Sequence, residues 1–395
     1  MVRSLPILTP LRGIAALIVV LFHARLILFP QWQPLLASQT QFIENGYVWV
    51  DLFFILSGFV MLHVYREQFA RPCTFSQWRH FVWLRFSRIY PLFFITFVVL
   101  LSWELVKYHH QIGFYGGMLL ESWGLKDIPA FSGPFNRADA ILPNILLLQG
   151  LTESMLSWNI SSWSLSIEWL CYLIFPLIVP LLNRSAKKTL WLPGLVLLVI
   201  YGLIEHKGNL DITGGVVAFL RGMCGFVLGI WLASLPLSAR VQRHLNRDWV
   251  LVVLLGCIAL VLHHSTSIPS LIAVYVLFAA LVITGARQTP RNSVGFRLLN
   301  NRVTQYLGDI SYSMYLWHTV LLLIGIEALQ QLAPDLLTWW YAQQSIVLAV
   351  MAIGLFLVLT FSVSTVSYYC IERPAMKMLR KQAPTEPVIR SSPAE

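Results

Sequence analysis

Charge is scarce in this sequence. Only 12% of its 395 residues are Asp, Glu, Lys or Arg, and acids are the scarcer sign, 18 against 28 basic residues. A soluble domain carries about 25% charged residues. A chain that is 57% hydrophobic would otherwise show far too much hydrocarbon to water. A soluble globular fold is therefore excluded. Cysteine is also sparse: Cys73, Cys171, Cys224, Cys257 and Cys370 have neither metal-ligand spacing nor a disulfide framework, and they read as packing residues. No Pro-, Gly- or Ser-rich linker divides the chain. One membrane domain is expected over 1–380, with 381–395 a disordered cytoplasmic tail because it is polar and Pro-rich. No bound cofactor and no metal are expected.

Long apolar runs are abundant instead. A bilayer-spanning helix needs roughly 20 apolar residues. Such stretches lie near 10–30, 47–65, 83–106, 162–182, 190–205, 214–235, 249–264, 268–286, 307–329 and 343–370. The expected fold is an all-α integral membrane protein, a bundle of about ten transmembrane helices in the cell (inner or plasma) membrane. With the N-terminus inside, the inner segments hold 22 Lys/Arg and the outer loops 4. That is the asymmetry of the positive-inside rule, so both termini are expected in the cytoplasm. The net charge of +10 is thus topology, and no nucleic-acid partner is expected. Arg3 and Arg12 precede the first apolar run as in a signal peptide, but the run is long and reads as a retained helix. Thr9-Pro10 is a helix-start signal, with Thr as cap and Pro at the first helical position. The longest outer loop, 107–161, is a candidate lid or acceptor platform, and 141–151 reads as interfacial.

Ionisable residues inside a bilayer are costly and mark function by default. Here they are Arg12, His23, Arg25, Asp51, Glu168, Arg221, His318 and Glu327. Arg12 and His23 are eleven residues apart, which puts them on one helix face about 16 Å apart. A guanidinium at the inner mouth suits a phosphorylated ligand, and a deep imidazole suits proton transfer. Arg85 and Arg88 share a face at i, i+3 and with Arg12 form a basic collar. Asp51 or Glu168 is positioned to orient the His23 imidazole. Ser164 faces the same way as Glu168. Ser311, Tyr315 and His318 make a polar stripe that must face protein or water. Plain topology charge and helix–helix hydrogen bonding account for many of these residues equally well.

Read in order, six segments resemble the acyltransferase-3 family of membrane acyltransferases. They are LRGIAALIVVLFH (Arg12, His23), VWVDLFFILSGFVM (Asp51, Ser57, Gly58), RFSRIYPLF (Arg85, Arg88), SSWSLSIEWLCYLIFP (Ser164, Glu168), LGDISYSMYLWH (Tyr315, His318) and IERPAM (Glu372, Arg373, Pro374). The fourth departs from the family pattern: Trp169, Leu170 and Cys171 replace a second Glu, a Gln and a Phe, leaving Glu168 as its only acid. Some family members carry an esterase-like soluble domain after the membrane part; none is expected here. The resemblance implies a cytoplasmic acyl-CoA co-substrate, acetyl-CoA foremost, and a carbohydrate or lipid-linked glycan acceptor. It implies His23 as essential base and Arg12, Arg85 and Arg88 on the donor side. The rival reading is a membrane transporter or flippase with an intramembrane proton relay; no inverted repeat or matched pair of broken helices supports it.

Overall fold

The structure is a computed structural model that describes residues 5–70, 72–182, 189–264 and 266–384. Each apolar stretch forms a helix. In chain order these are α1 (Leu8–Ile27), α2 (Trp49–Tyr65), α3 (Phe75–His110), α4 (Trp163–Leu182) and α5 (Leu192–Lys207). The second half contributes α6 (Gly215–Ser234), α7 (Asp248–His263), α8 (Ile268–Arg287), α9 (Ser311–Leu332) and α10 (Ile346–Ser367). Among the described residues eight helices are long and apolar enough to cross a membrane. They are nine if α7 counts with Ala239–Leu245, which meets it at 62°. The remaining expected span, α5, has 16 residues. The chain is an all-α, multi-pass membrane protein.

Helix limits depart from the sequence reading where local chemistry decides them. α1 begins at Leu8, with Ile7 at the cap and no side-chain cap bond, so Thr9 is not the cap. Pro10 still sits in the first turn, where the backbone N–H it lacks would have no partner. α3 starts at Phe75, well before the expected span. Thr74 accepts from the Gln77 amide and Gln77 accepts from the Thr74 amide, a capping box that adds two turns at the Arg85 end. The segment 141–151 holds two short helices, Ile141–Ile145 and Gln149–Thr152. Of the expected tail, Lys381 closes the helix Arg373–Lys381, and the Pro384 carbonyl lies 2.6 Å from His80 Nδ1. Residues 385–395 lie outside the described residues.

The helices alternate in direction, giving the bundle an Arg12 end and a His23 end. α6 lies directly against α2 because glycines on each helix meet the other's backbone. A Cβ on Gly58 would stand 1.9 Å from the Phe226 carbonyl oxygen, and one on Gly229 2.1 Å from that of Ile55. Small residues at such a seam let backbones approach without lipid between them. α1 packs against α2 and α9, so the helix bearing Arg12 and His23 runs through the middle of the bundle.

At the His23 end the long loop is pinned by buried charge. Lys107, counted above as an outer topology charge, is fully buried between Glu104 (3.1 Å) and Glu327 (2.8 Å). Glu327 also accepts from the Trp103 indole and the Tyr115 amide, and Glu104 from the Phe131 amide and the Asn136 side chain. Every acid in this cluster is satisfied, which is the condition for keeping charge inside the fold.

Candidate active site

The His23 imidazole is held by backbone and by a second histidine. Its Nδ1 lies 3.0 Å from the Val19 carbonyl and 3.2 Å from His318 Nε2, while His318 Nδ1 lies 3.0 Å from the Met314 carbonyl. A carbonyl can only accept, so both Nδ1 atoms carry the hydrogen. His318 Nε2 is then an acceptor for His23 Nδ1–H, and His23 Nε2 keeps a free lone pair. This is a neutral imidazole poised as a base. The expectation that Asp51 or Glu168 orients His23 is corrected here: neither bonds to it. Asp51 is closed on Arg221, whose Nε and Nη2 reach its two oxygens at 3.0 and 2.7 Å. Glu168 accepts from Ser57 (2.7 Å) and Tyr172 nearer the Arg12 end.

The α9 stripe is set by a buried network at the start of α4. Ser161 donates to the Tyr315 carbonyl and to Asn159, which accepts from Thr319 and donates to the Leu316 carbonyl. These bonds fix the turn of α9 that carries Tyr315 and His318. Tyr315 and Ser164 share a hydrogen bond of 2.7 Å.

Two cavities meet here. One, of about 180 Å³, is lined by Arg12, Arg85, Arg88, Ser57, Ser164, Glu168, Tyr172 and Ser311. The other, of about 280 Å³, is lined by His23, Tyr47, Trp163, Asp211 and Thr213, with Leu120, Trp123 and Phe135 of the long loop closing it. Val50 and Tyr315 belong to both walls. The loop expected as a lid or platform thus forms part of the His23 cavity wall.

The basic collar is uneven. The Arg12 guanidinium forms no hydrogen bond or ion pair among the described residues. Arg85 donates to the Tyr65 hydroxyl at 2.8 Å, and its Nε is buried without a partner. Arg88, expected as part of the collar, is paired with Glu372, itself buried and accepting from Ser313. Glu372 reaches that position because α10 ends in a π-helical turn, Tyr368–Glu372, a widening often found at functional sites.

The sequence puts Arg25 and Arg221 inside spans but assigns neither a role. Arg25 is closed on Glu44 through two bonds of 2.8 Å. Arg221, fully buried, also donates to the Tyr47 and Ile212 carbonyls and lies over the Trp163 ring. It therefore ties together three parts of the His23 cavity wall. Asp211 and Thr213 were missed altogether; a polar loop between two spans carries no periodic signal. The Asp211 carboxylate forms no hydrogen bond or ion pair among the described residues. It is open to solvent, yet the surrounding wall desolvates it and pushes its pKa above the ordinary carboxylate value, against the pull of Arg221 and Arg25.

A cation-lined cavity and a cavity holding a histidine with a free ring nitrogen share one wall inside a helical bundle, the arrangement a membrane-embedded group-transfer enzyme needs. The acyltransferase domain of the acyltransferase-3 family matches residues 8–369, and this chain belongs to that family. It is a membrane acyltransferase. It is 27% identical over 405 residues to acyltransferase MdmB of Streptomyces mycarofaciens, covering 97% of this chain and 94% of that one. It is 23% identical over 407 residues to the peptidoglycan O-acetyltransferase OatA of Listeria monocytogenes serovar 1/2a, covering 95% of this chain and 56% of that one. No solved structure matches.

Proposed function

We propose that this acyltransferase moves an acetyl group from acetyl-CoA, bound at the Arg12 end from the cytoplasm, to a carbohydrate hydroxyl at the His23 end. The observation that carries the reading is the shared wall at Val50 and Tyr315 between the two cavities. A phosphorylated donor suits the cavity with unpaired guanidinium nitrogens on Arg12 and Arg85. Its thioester arm is of the same order of length as the Arg12-to-His23 rise of about 16 Å. The acetylating relative OatA and the six ordered motifs favour acetyl as the group and a surface glycan as the acceptor.

The reaction follows from the tautomers. His23 Nε2 takes the proton of the acceptor hydroxyl as its oxygen attacks the thioester carbonyl. The new C–O bond forms, the C–S bond breaks, and the proton passes to the departing thiolate. Imidazolium formed on His23 is stabilised by its Nδ1–H bonds to Val19 and His318. The Tyr315 hydroxyl, on the shared wall, is a candidate donor for the developing oxyanion. The test is acetyl transfer by purified protein in proteoliposomes, with radiolabelled acetyl-CoA and isolated surface glycan. Label should appear as an ester on the glycan; intact acetyl-CoA and unlabelled glycan would refute the reading.

A further inference from the structure

The two arginines beside the His23 cavity are already committed to carboxylates. Arg25 is committed to Glu44 and Arg221 to Asp51. Glu44 takes a further bond from Gln33. Asp211 is left with its carboxylate unbonded, on a segment whose conformation is nevertheless fixed. Its own amide donates to Asn209 Oδ1 at 2.9 Å, and the next carbonyl, Ile212, accepts from Arg221 at 3.1 Å. Asp211 lines the His23 cavity and also an adjoining cleft of about 440 Å³ that holds Trp123 and Asn209. A charged acceptor carried on a fixed stretch of backbone beside an otherwise mostly apolar cavity is a feature that can set ligand orientation. Nothing in the transfer chemistry above uses it.

We propose that Asp211 is a specificity-determining residue for the acceptor. Its carboxylate takes a hydrogen bond from a hydroxyl or amine that the acceptor carries beside the alcohol presented to His23. This rests on the acyl-transfer reading. It adds a requirement that reading does not contain: a second hydrogen-bond donor on the acceptor.

The test uses the full chain in proteoliposomes with acetyl-CoA and three probe alcohols. They are benzyl alcohol, its para-aminomethyl derivative and phenyl β-glucoside. In Asp211→Ala the kcat/KM ratio of each donor-bearing probe over benzyl alcohol should fall about ten-fold or more, the size of a lost bond to a charged group. Asp211→Asn keeps a carbonyl oxygen without charge, so it should spare the glucoside ratio more than the amine ratio. Asp139→Asn removes an exposed carboxylate elsewhere on the long loop and should leave both ratios at the wild-type value. Unchanged ratios in Asp211→Ala, with the wild type transferring acetyl, overturn the subsite and leave acyl transfer standing. A wild type that acetylates none of the probes and consumes no acetyl-CoA overturns the acyl-transfer reading and the subsite together.

Discussion

Arginine stands inside the spans at both ends of the bundle, buried at the His23 end and half-buried at the Arg12 end, with opposite consequences. At the His23 end Arg25 and Arg221 are each closed on a carboxylate, and Arg221 uses its remaining donors on two backbone carbonyls. At the Arg12 end the Arg12 guanidinium has no such partner among the described residues, and Arg85 keeps a buried unbonded Nε. Placement inside a span is the same in both cases. What separates a structural cation from a ligand-binding one is unused hydrogen-bonding capacity, because a buried donor without a partner costs free energy until something arrives to accept from it.

Substitutions at each end should break this contrast in different currencies. The largest effect belongs to the proposed base: His23→Ala should lower acetyl transfer by roughly 10³-fold, within the range of general-base catalysis, while thermal unfolding stays near the wild-type value. Next, Arg221→Ala leaves Asp51 buried and unpaired and should destabilise the protein by about 3–5 kcal/mol in a denaturation measurement. Arg12→Ala should instead leave stability almost unchanged and raise the donor KM roughly ten-fold or more. An Arg12 variant that unfolds like Arg221→Ala would erase the distinction. His318→Ala should slow transfer about ten-fold, with partial rescue by His318→Gln, whose amide oxygen can still accept from His23 Nδ1–H. The smallest effect is expected at Arg88. Glu372→Gln releases that guanidinium towards the cavity and should lower the donor KM by about three-fold, the scale of a weak charge contact.

The sequence made the scaffold plain because a bilayer leaves few options: every span must be a long apolar helix. Arg12 and His23 were legible for the same reason, since one helix period places both on a face. The pairings were not. His23 and His318 are 295 residues apart, Asp51 and Arg221 170, and Arg88 and Glu372 284. No local period relates such residues, so the sequence offered Asp51 and Glu168 to His23 and did not offer His318. Arg88 likewise looked like Arg12 until the π-helical turn at the end of α10 brought Glu372 against it. Asp211 carried no signal at all, because its importance lies in which neighbouring cations are already taken.

Sidedness tests the central claim most directly. Proteoliposomes of uniform orientation would receive acetyl-CoA on one face and phenyl β-glucoside on the other. Transfer is predicted only with acetyl-CoA at the Arg12 face and the glucoside at the His23 face, and the ester should appear in the glucoside compartment. Transfer that requires both substrates on the same face would contradict the passage of the acyl group between the two cavities.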